Sequence, residues 1–165
     1  MFDAEKWQAD QADFDIWGDA SGISLMFWSP KHQIAHIADL IINKEGLFNI
    51  FIFFNEAVTV LTALQWASSL QPPPKHLAIH ADSTTSFGIF NSLCALDHYN
   101  PIILESVKIQ IKYSIDLHVF HIEGKKNTVT DALSPHSPGL AHHLAPGLIN
   151  CGFMPPLSMM EAAAK

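Results

Sequence analysis

Four carboxylates stand at points where a chain can hold a side chain still. Asp19 closes an apolar, strand-like run in "WGDAS", and Glu56 opens a helical pattern in "FNEAV". Asp82 closes a second run in "IHADST", and Asp131 falls on the first turn of a helical pattern in "NTVTDAL". Each has an ordinary reading when taken alone: a strand-end turn residue, a helix-start acid favoured by the macrodipole, a cap, a first-turn acid. As a set they point to cation chemistry. Magnesium takes hard oxygen ligands in near-octahedral geometry at about 2.0–2.1 Å and keeps several waters. Two such ions about 3.5–4 Å apart can activate a water and stabilise the leaving oxygen of a phosphodiester. Without a cation, clustered carboxylates repel one another and some take up protons.

The elements that must position these acids follow from periodicity. "FDIWGDAS" (14–21), "ISLMFWS" (23–29) and "HQIAHIA" (32–38) are rich in β-branched and aromatic residues and are separated by turn residues, which predicts a three-stranded meander. "IINKEG" predicts a loop, and "LFNIFIFF" is either a strand or an apolar lead into a helix. Ala57, Val60, Leu61, Leu64, Ala67 and Ser68 recur at helical spacing, so 55–70 is expected to be a helix with Asn55 as its N-cap, stopped by "QPPPK". A strand is expected over 76–82 and a Ser/Thr-capped helix over 83–95. The stretch 101–114 is helix or strand by periodicity, and a helix is expected because a crossover is needed before the strand over 116–122; a helix then begins near Thr128–Asp131. This is an α/β layout with a mixed sheet. After Ser134, five prolines and three glycines predict an irregular tail, with at most a short helix at 139–145. The division expected is a lead-in over 1–13, a domain over 14–136 and a tail over 137–165.

Composition narrows the function classes. The 165 residues, 48% hydrophobic and 15% charged, describe a globular chain able to bury a core. All nine basic residues are lysines against sixteen acids, a net charge of −7. That argues against a generic basic nucleic-acid binder, though not against an enzyme whose metal ions meet the phosphates. Cys94 and Cys151 have no metal-ligand spacing and are expected to be buried thiols in a reducing compartment. The acidic start of the chain does not have the pattern of a signal peptide, and the most apolar run is interrupted by Asn49, Asn55 and Glu56. An intracellular protein, cytoplasmic or nuclear and with no membrane span, is therefore expected.

"DAS" after a strand, "NEA" opening a helix, "HADST" and above all "HIEGKKNTVTDALS" resemble the ribonuclease H domain of retrotransposon (reverse transcriptase) polyproteins, of the fungal retroelement type. The similarity covers residues 14–136. It implies a ribonuclease H-like fold, with a five-stranded mixed sheet flanked by helices and followed here by the Pro-rich tail. It also implies two divalent metal ions, Mg²⁺ or Mn²⁺, and hydrolysis of the RNA strand of RNA–DNA hybrids. Carried over by motif, Asp19, Glu56, Asp82 and Asp131 would be both the catalytic and the metal-binding residues. Ser21, Asn55, Ser83, Lys125, Lys126 and Asn127, beside them, would contact the hybrid through 2′-hydroxyls and backbones. A reverse transcriptase polymerase domain is the further partner implied.

The chain departs from the family in several places. Only Lys125 and Lys126 separate Gly124 from Asn127, where cellular relatives have a longer loop with a histidine. Thr130 replaces a small alanine, and Pro135 replaces an arginine. A proline there clashes with the carbonyl of Asp131, four residues back, so the last helix is expected to kink or stop within a turn. The stretch 97–114 offers only Lys108 and Lys112 for gripping a hybrid. These departures keep a second reading in play: an inactive retroelement remnant serving as a protein-interaction domain.

Overall fold

The computed structural model describes residues 7–21, 24–39, 52–94, 97–133 and 138–155. Its meander consists of β1 (Phe14–Ala20), β2 (Ser24–Ser29) and β3 (Ile34–Asp39), each antiparallel to the next. Helix α1 (Ile52–Ser68) leads to β4 (His76–Ala81), which lies parallel to β1. Helices α2 (Thr84–Ser92) and α3 (Asn100–Tyr113) lead to β5 (Asp116–His121), parallel to β4. A single 3-10 turn, Gly124–Lys126, precedes α4 (Thr128–Leu133). The tail adds α5 (Pro138–Leu144) and β6 (Ile149–Gly152). The sheet order is β5-β4-β1-β2-β3-β6.

Strand alternation divides the core between the two faces. Phe14, Ile16 and Ala20 of β1, with Leu25 and Phe27 of β2, pack under Val58, Leu61 and Leu64 of α1 and Ile102 and Ile109 of α3. Leu61 and Leu64 are fully buried, each contributing about 2–3 kcal/mol. Met26 belongs to the other face, with Ala35, with Val129, Ala132 and Leu133 of α4, and with Ala141, Ala145 and Leu148. Helices α1 and α4 thus cover opposite faces of the same strands.

The sheet has six strands rather than five, and the tail is not irregular throughout. The expected short helix is there as α5, and the chain then lays β6 beside β3 in parallel, with Phe153 packing on Phe27 at 5.5 Å between ring centroids. Four residues, "INCG", mostly exposed and ending in glycine, have no alternating pattern by which a strand could be read. Helix α1 begins three residues earlier than expected, because the apolar "IFF" joins it and buries Phe54. Asn55 is therefore inside the helix and not its cap. Glu56 correspondingly lies past the first turn. Ser83 caps α2 as expected, accepting a hydrogen bond from the Ser86 N–H at 3.2 Å. The last segment of the lead-in docks on the sheet: the Trp7 indole donates to Asp116 at 2.8 Å and packs against His118. The region expected as a loop (41–46) and most of the stretch expected as a strand or an apolar lead (47–54), together with Pro135, lie outside the described residues. Neither thiol expected to be buried is so: Cys94 is exposed just after α2, and Cys151 in β6 is only partly covered.

The two edges of the sheet differ. On β5, the Val119 N–H donates to Asn91 Oδ1 at 2.9 Å, and Asn91 Nδ2 donates to the Val119 carbonyl at 2.7 Å. One amide side chain supplies both partners that a neighbouring strand would supply. Gln110 Oε1 accepts from the Leu117 N–H at 3.4 Å.

Candidate metal centre

Strands β1 and β4 run parallel with Trp17 level with His80. Two residues further, the same register brings Asp19 level with Asp82, the first residue past β4. Both acids thus leave the sheet at the same end. Directly opposite Met26 in the β1–β2 register, Asp19 faces the α4 side of the sheet. Glu56 arrives from the other side. A Cβ added to Gly18 would meet Thr59 Cγ2 at 3.4 Å, so the missing side chain lets α1 lie close over β1. Glu56, three residues before Thr59 and on the same helix face, reaches the strand end.

One oxygen from each of Asp19, Glu56 and Asp82 lies within 4.8 Å of the other two, and all three residues are half-buried. Among the described residues, this is the one such group of potential metal ligands. Asp131 stands on the first turn of α4 as expected, more exposed, and is not part of that group. Its charge is nonetheless felt by Asp19. The four acids share one neighbourhood, and three of them form its tight core.

The electrostatics fit a cation site. Burial first, then the Asp82 charge, push the Asp19 carboxyl up to about 7, with smaller contributions from Asp131 and Glu56. The Ala20 N–H, donating to Asp19 Oδ1 at 2.8 Å, opposes that rise. Glu56 is raised by burial and by Asp82, against a lowering hydrogen bond with Ser83. Its Oε2 is buried with no hydrogen-bond partner. Asp131 is raised by desolvation and by Asp82. An all-carboxylate donor set with an unpartnered buried oxygen suits a hard divalent ion such as Mg²⁺ or Mn²⁺.

The residues expected to contact a substrate fall into two groups. Asn55, Ser83 and Asn127 are buried, at 2%, 5% and 1% exposure. Asn55 lies within α1, Ser83 caps α2 and supports Glu56, and Asn127 donates to the Gly18 carbonyl at 3.2 Å. The Ser21 hydroxyl meets Ser24 Oγ at 2.9 Å across the β1–β2 connection. Lys125 and Lys126 face solvent on the 3-10 turn. That turn borders the acids, since a Cβ added to Gly124 would lie 3.4 Å from Asp82 Oδ2. Tyr99, absent from the sequence reading, also borders the site: burial and the Glu56 charge raise its phenol. Nothing in its local sequence marks it, because the contact depends on how α3 packs against α1.

No described helix is long and apolar enough to cross a membrane. No protein-family model matches the chain, and no curated protein matches it.

Proposed function

We propose that this protein is a divalent-metal-dependent nuclease of the ribonuclease H type, hydrolysing the RNA strand of RNA–DNA hybrids. The observation that carries the reading is the convergence of Asp19, Glu56 and Asp82, from three separate elements, on one small volume at the sheet end. Asp19, Glu56 and Asp82 would hold the ions, and Asp131, at the rim, would complete a second site. When bound, two ions would supply Lewis-acid activation of a water and charge stabilisation at the leaving oxygen. The chain's own part is to fix the carboxylates and, by burial and mutual repulsion, to raise the Asp19 carboxyl. A carboxyl with a pKa of about 7 holds a proton at neutral pH part of the time, a proton that it would have to give up to act as a ligand. Lys125 and Lys126, solvent-facing on the turn whose Gly124 lies against Asp82, are the cations best placed to meet a backbone phosphate. With so few basic residues, hybrid affinity is expected to be weak and to fall with salt through a shallow slope. A polymerase domain would be the natural source of further affinity.

The test has two arms. Mg²⁺ or Mn²⁺ should raise the melting temperature of the wild type, and a labelled hybrid should be cut by wild type and left intact by Asp19→Asn. Equal cutting by both proteins would mean a contaminating nuclease. A second reading, a non-catalytic interaction domain, is favoured by one specific observation: the net charge of −7 without a single arginine. A wild type whose melting temperature ignores both metals would select it.

A further inference from the structure

We propose that Asn127 is a positioning residue of the carboxylate centre, tying the helix that bears Asp131 to the strand that bears Asp19; the proposal rests on the metal-centre reading above. Helix α4 has six residues, far below the roughly twelve to fifteen at which a helix becomes stable alone. Its register must come from what holds its first turn. The Asn127 carbonyl accepts from the Asp131 N–H at 3.0 Å and from the Thr130 hydroxyl at 2.9 Å. The Asn127 N–H donates to the Gly124 carbonyl at 3.0 Å, which fixes the turn lying against Asp82. Its side-chain amide reaches across to the carbonyl of Gly18, the residue before Asp19.

One residue therefore bonds the backbone of Asp131, the residue before Asp19, and the turn that lies against the Asp82 carboxylate. The Gly18 carbonyl requires a donor, which fixes which way the amide points. The Asn127 Oδ1 is left buried without a hydrogen-bond partner. A buried unsatisfied acceptor is unfavourable, so the amide is held there by the tether it makes rather than by full satisfaction. Residues that orient ligands without touching the ion typically change metal affinity about 10–100-fold when removed.

The experiment follows melting temperature against Mn²⁺ concentration for wild type, Asn127→Ala, Asn127→Ser and a core control, Ile102→Val. Serine keeps a polar side chain at the start of α4 but is too short to span to Gly18. Both Asn127 variants should fold, by far-UV circular dichroism, and need about tenfold more Mn²⁺ for the half-maximal rise. Ile102→Val should melt earlier with an unchanged Mn²⁺ midpoint. A wild-type midpoint in Asn127→Ala, or its restoration in Asn127→Ser, overturns the proposal and leaves the metal centre standing. Loss of cooperative folding in both variants overturns it as well, by making Asn127 a determinant of the fold. A wild type without any Mn²⁺ response overturns the metal-centre reading and this proposal together.

Discussion

Replacing Asp19 by asparagine should make the metal-free protein more stable while removing its response to metal. The side chain keeps its shape, and the Ala20 N–H, now 2.8 Å from Asp19 Oδ1, retains a carbonyl acceptor. What changes is the charge. In the folded state the Asp19 carboxyl has a pKa of about 7 against an ordinary 3.8. The folded protein therefore binds more protons than the unfolded chain between those values, and stability falls as pH rises through that window. At about 1.4 kcal/mol per unit, the rise corresponds to a penalty of about 4 kcal/mol once pH exceeds about 7. Side-chain relaxation and water reduce such penalties, so about 2 kcal/mol is expected to be recovered by the variant. For a chain of this length that is a rise in Tm of about 4–8 °C. The assay is thermal unfolding followed by circular dichroism in EDTA, across a pH series from about 4 to 8.5. The difference between variant and wild type should be small at the acidic end, grow towards neutrality and then level off. Added Mg²⁺ should reverse the ranking, because only the wild type gains. A variant less stable than wild type in EDTA at about pH 8, or a difference independent of pH, would refute the reasoning.

The remaining expectations are as follows. In a Mn²⁺ melting titration, Glu56→Gln and Asp82→Asn should abolish the metal-induced rise in Tm, whereas Asp131→Asn, outside the 4.8 Å group, should only weaken it. His36 stacks on Phe27 at 4.7 Å with Nε2 buried and unpartnered, and burial lowers its pKa below 6.5. The unfolded chain then binds the extra proton, so His36 costs stability as pH falls below about 6.5. Urea unfolding should accordingly show His36→Phe gaining on the wild type with acidification, and a constant difference would sink the idea. Truncation after His136 removes the buried Ala141, Ala145 and Leu148 and uncovers Met26. It should cost at least about 3 kcal/mol in denaturant unfolding, and an unchanged midpoint would show that the tail does not stabilise the domain.

What the sequence made legible depended on how local each signal was. Asp19 and Asp82 could be named because each stands at the junction of a strongly patterned strand with a turn, and Glu56 because it stands where the helical spacing becomes readable, although α1 starts four residues before it. The start of α1 was misplaced because apolar residues such as Phe53 and Phe54 serve a strand as well as a helix, and only the packing of Phe54 decides between them. Strand β6 was missed because its existence depends on β3 offering an edge 115 positions upstream, Ile34 beside Ile149. Asn127, in a Gly-Lys-Lys-Asn turn, has the composition of a solvated loop that could touch a ligand. Its 1% exposure and its bond to Gly18 depend on a partner 109 residues away. Trp7 is the same case at the other end of the chain, with its partner Asp116 also 109 residues away. In each instance the missing information was long-range.

The amide of Asn91 has a consequence for how this molecule can meet others. An open sheet edge is a template for a further strand from another chain. On β5 the outward-facing groups of Val119 are already taken by Asn91, and the Leu117 N–H by Gln110. A strand arriving on that side would first have to break bonds that already exist. The opposite border is four residues of β6 with Ile149 59% exposed, and no side chain blocks it in the same way among the described residues. Strand addition is therefore opposed by the chain's own side chains at β5, the side from which the polypeptide runs into Asp131.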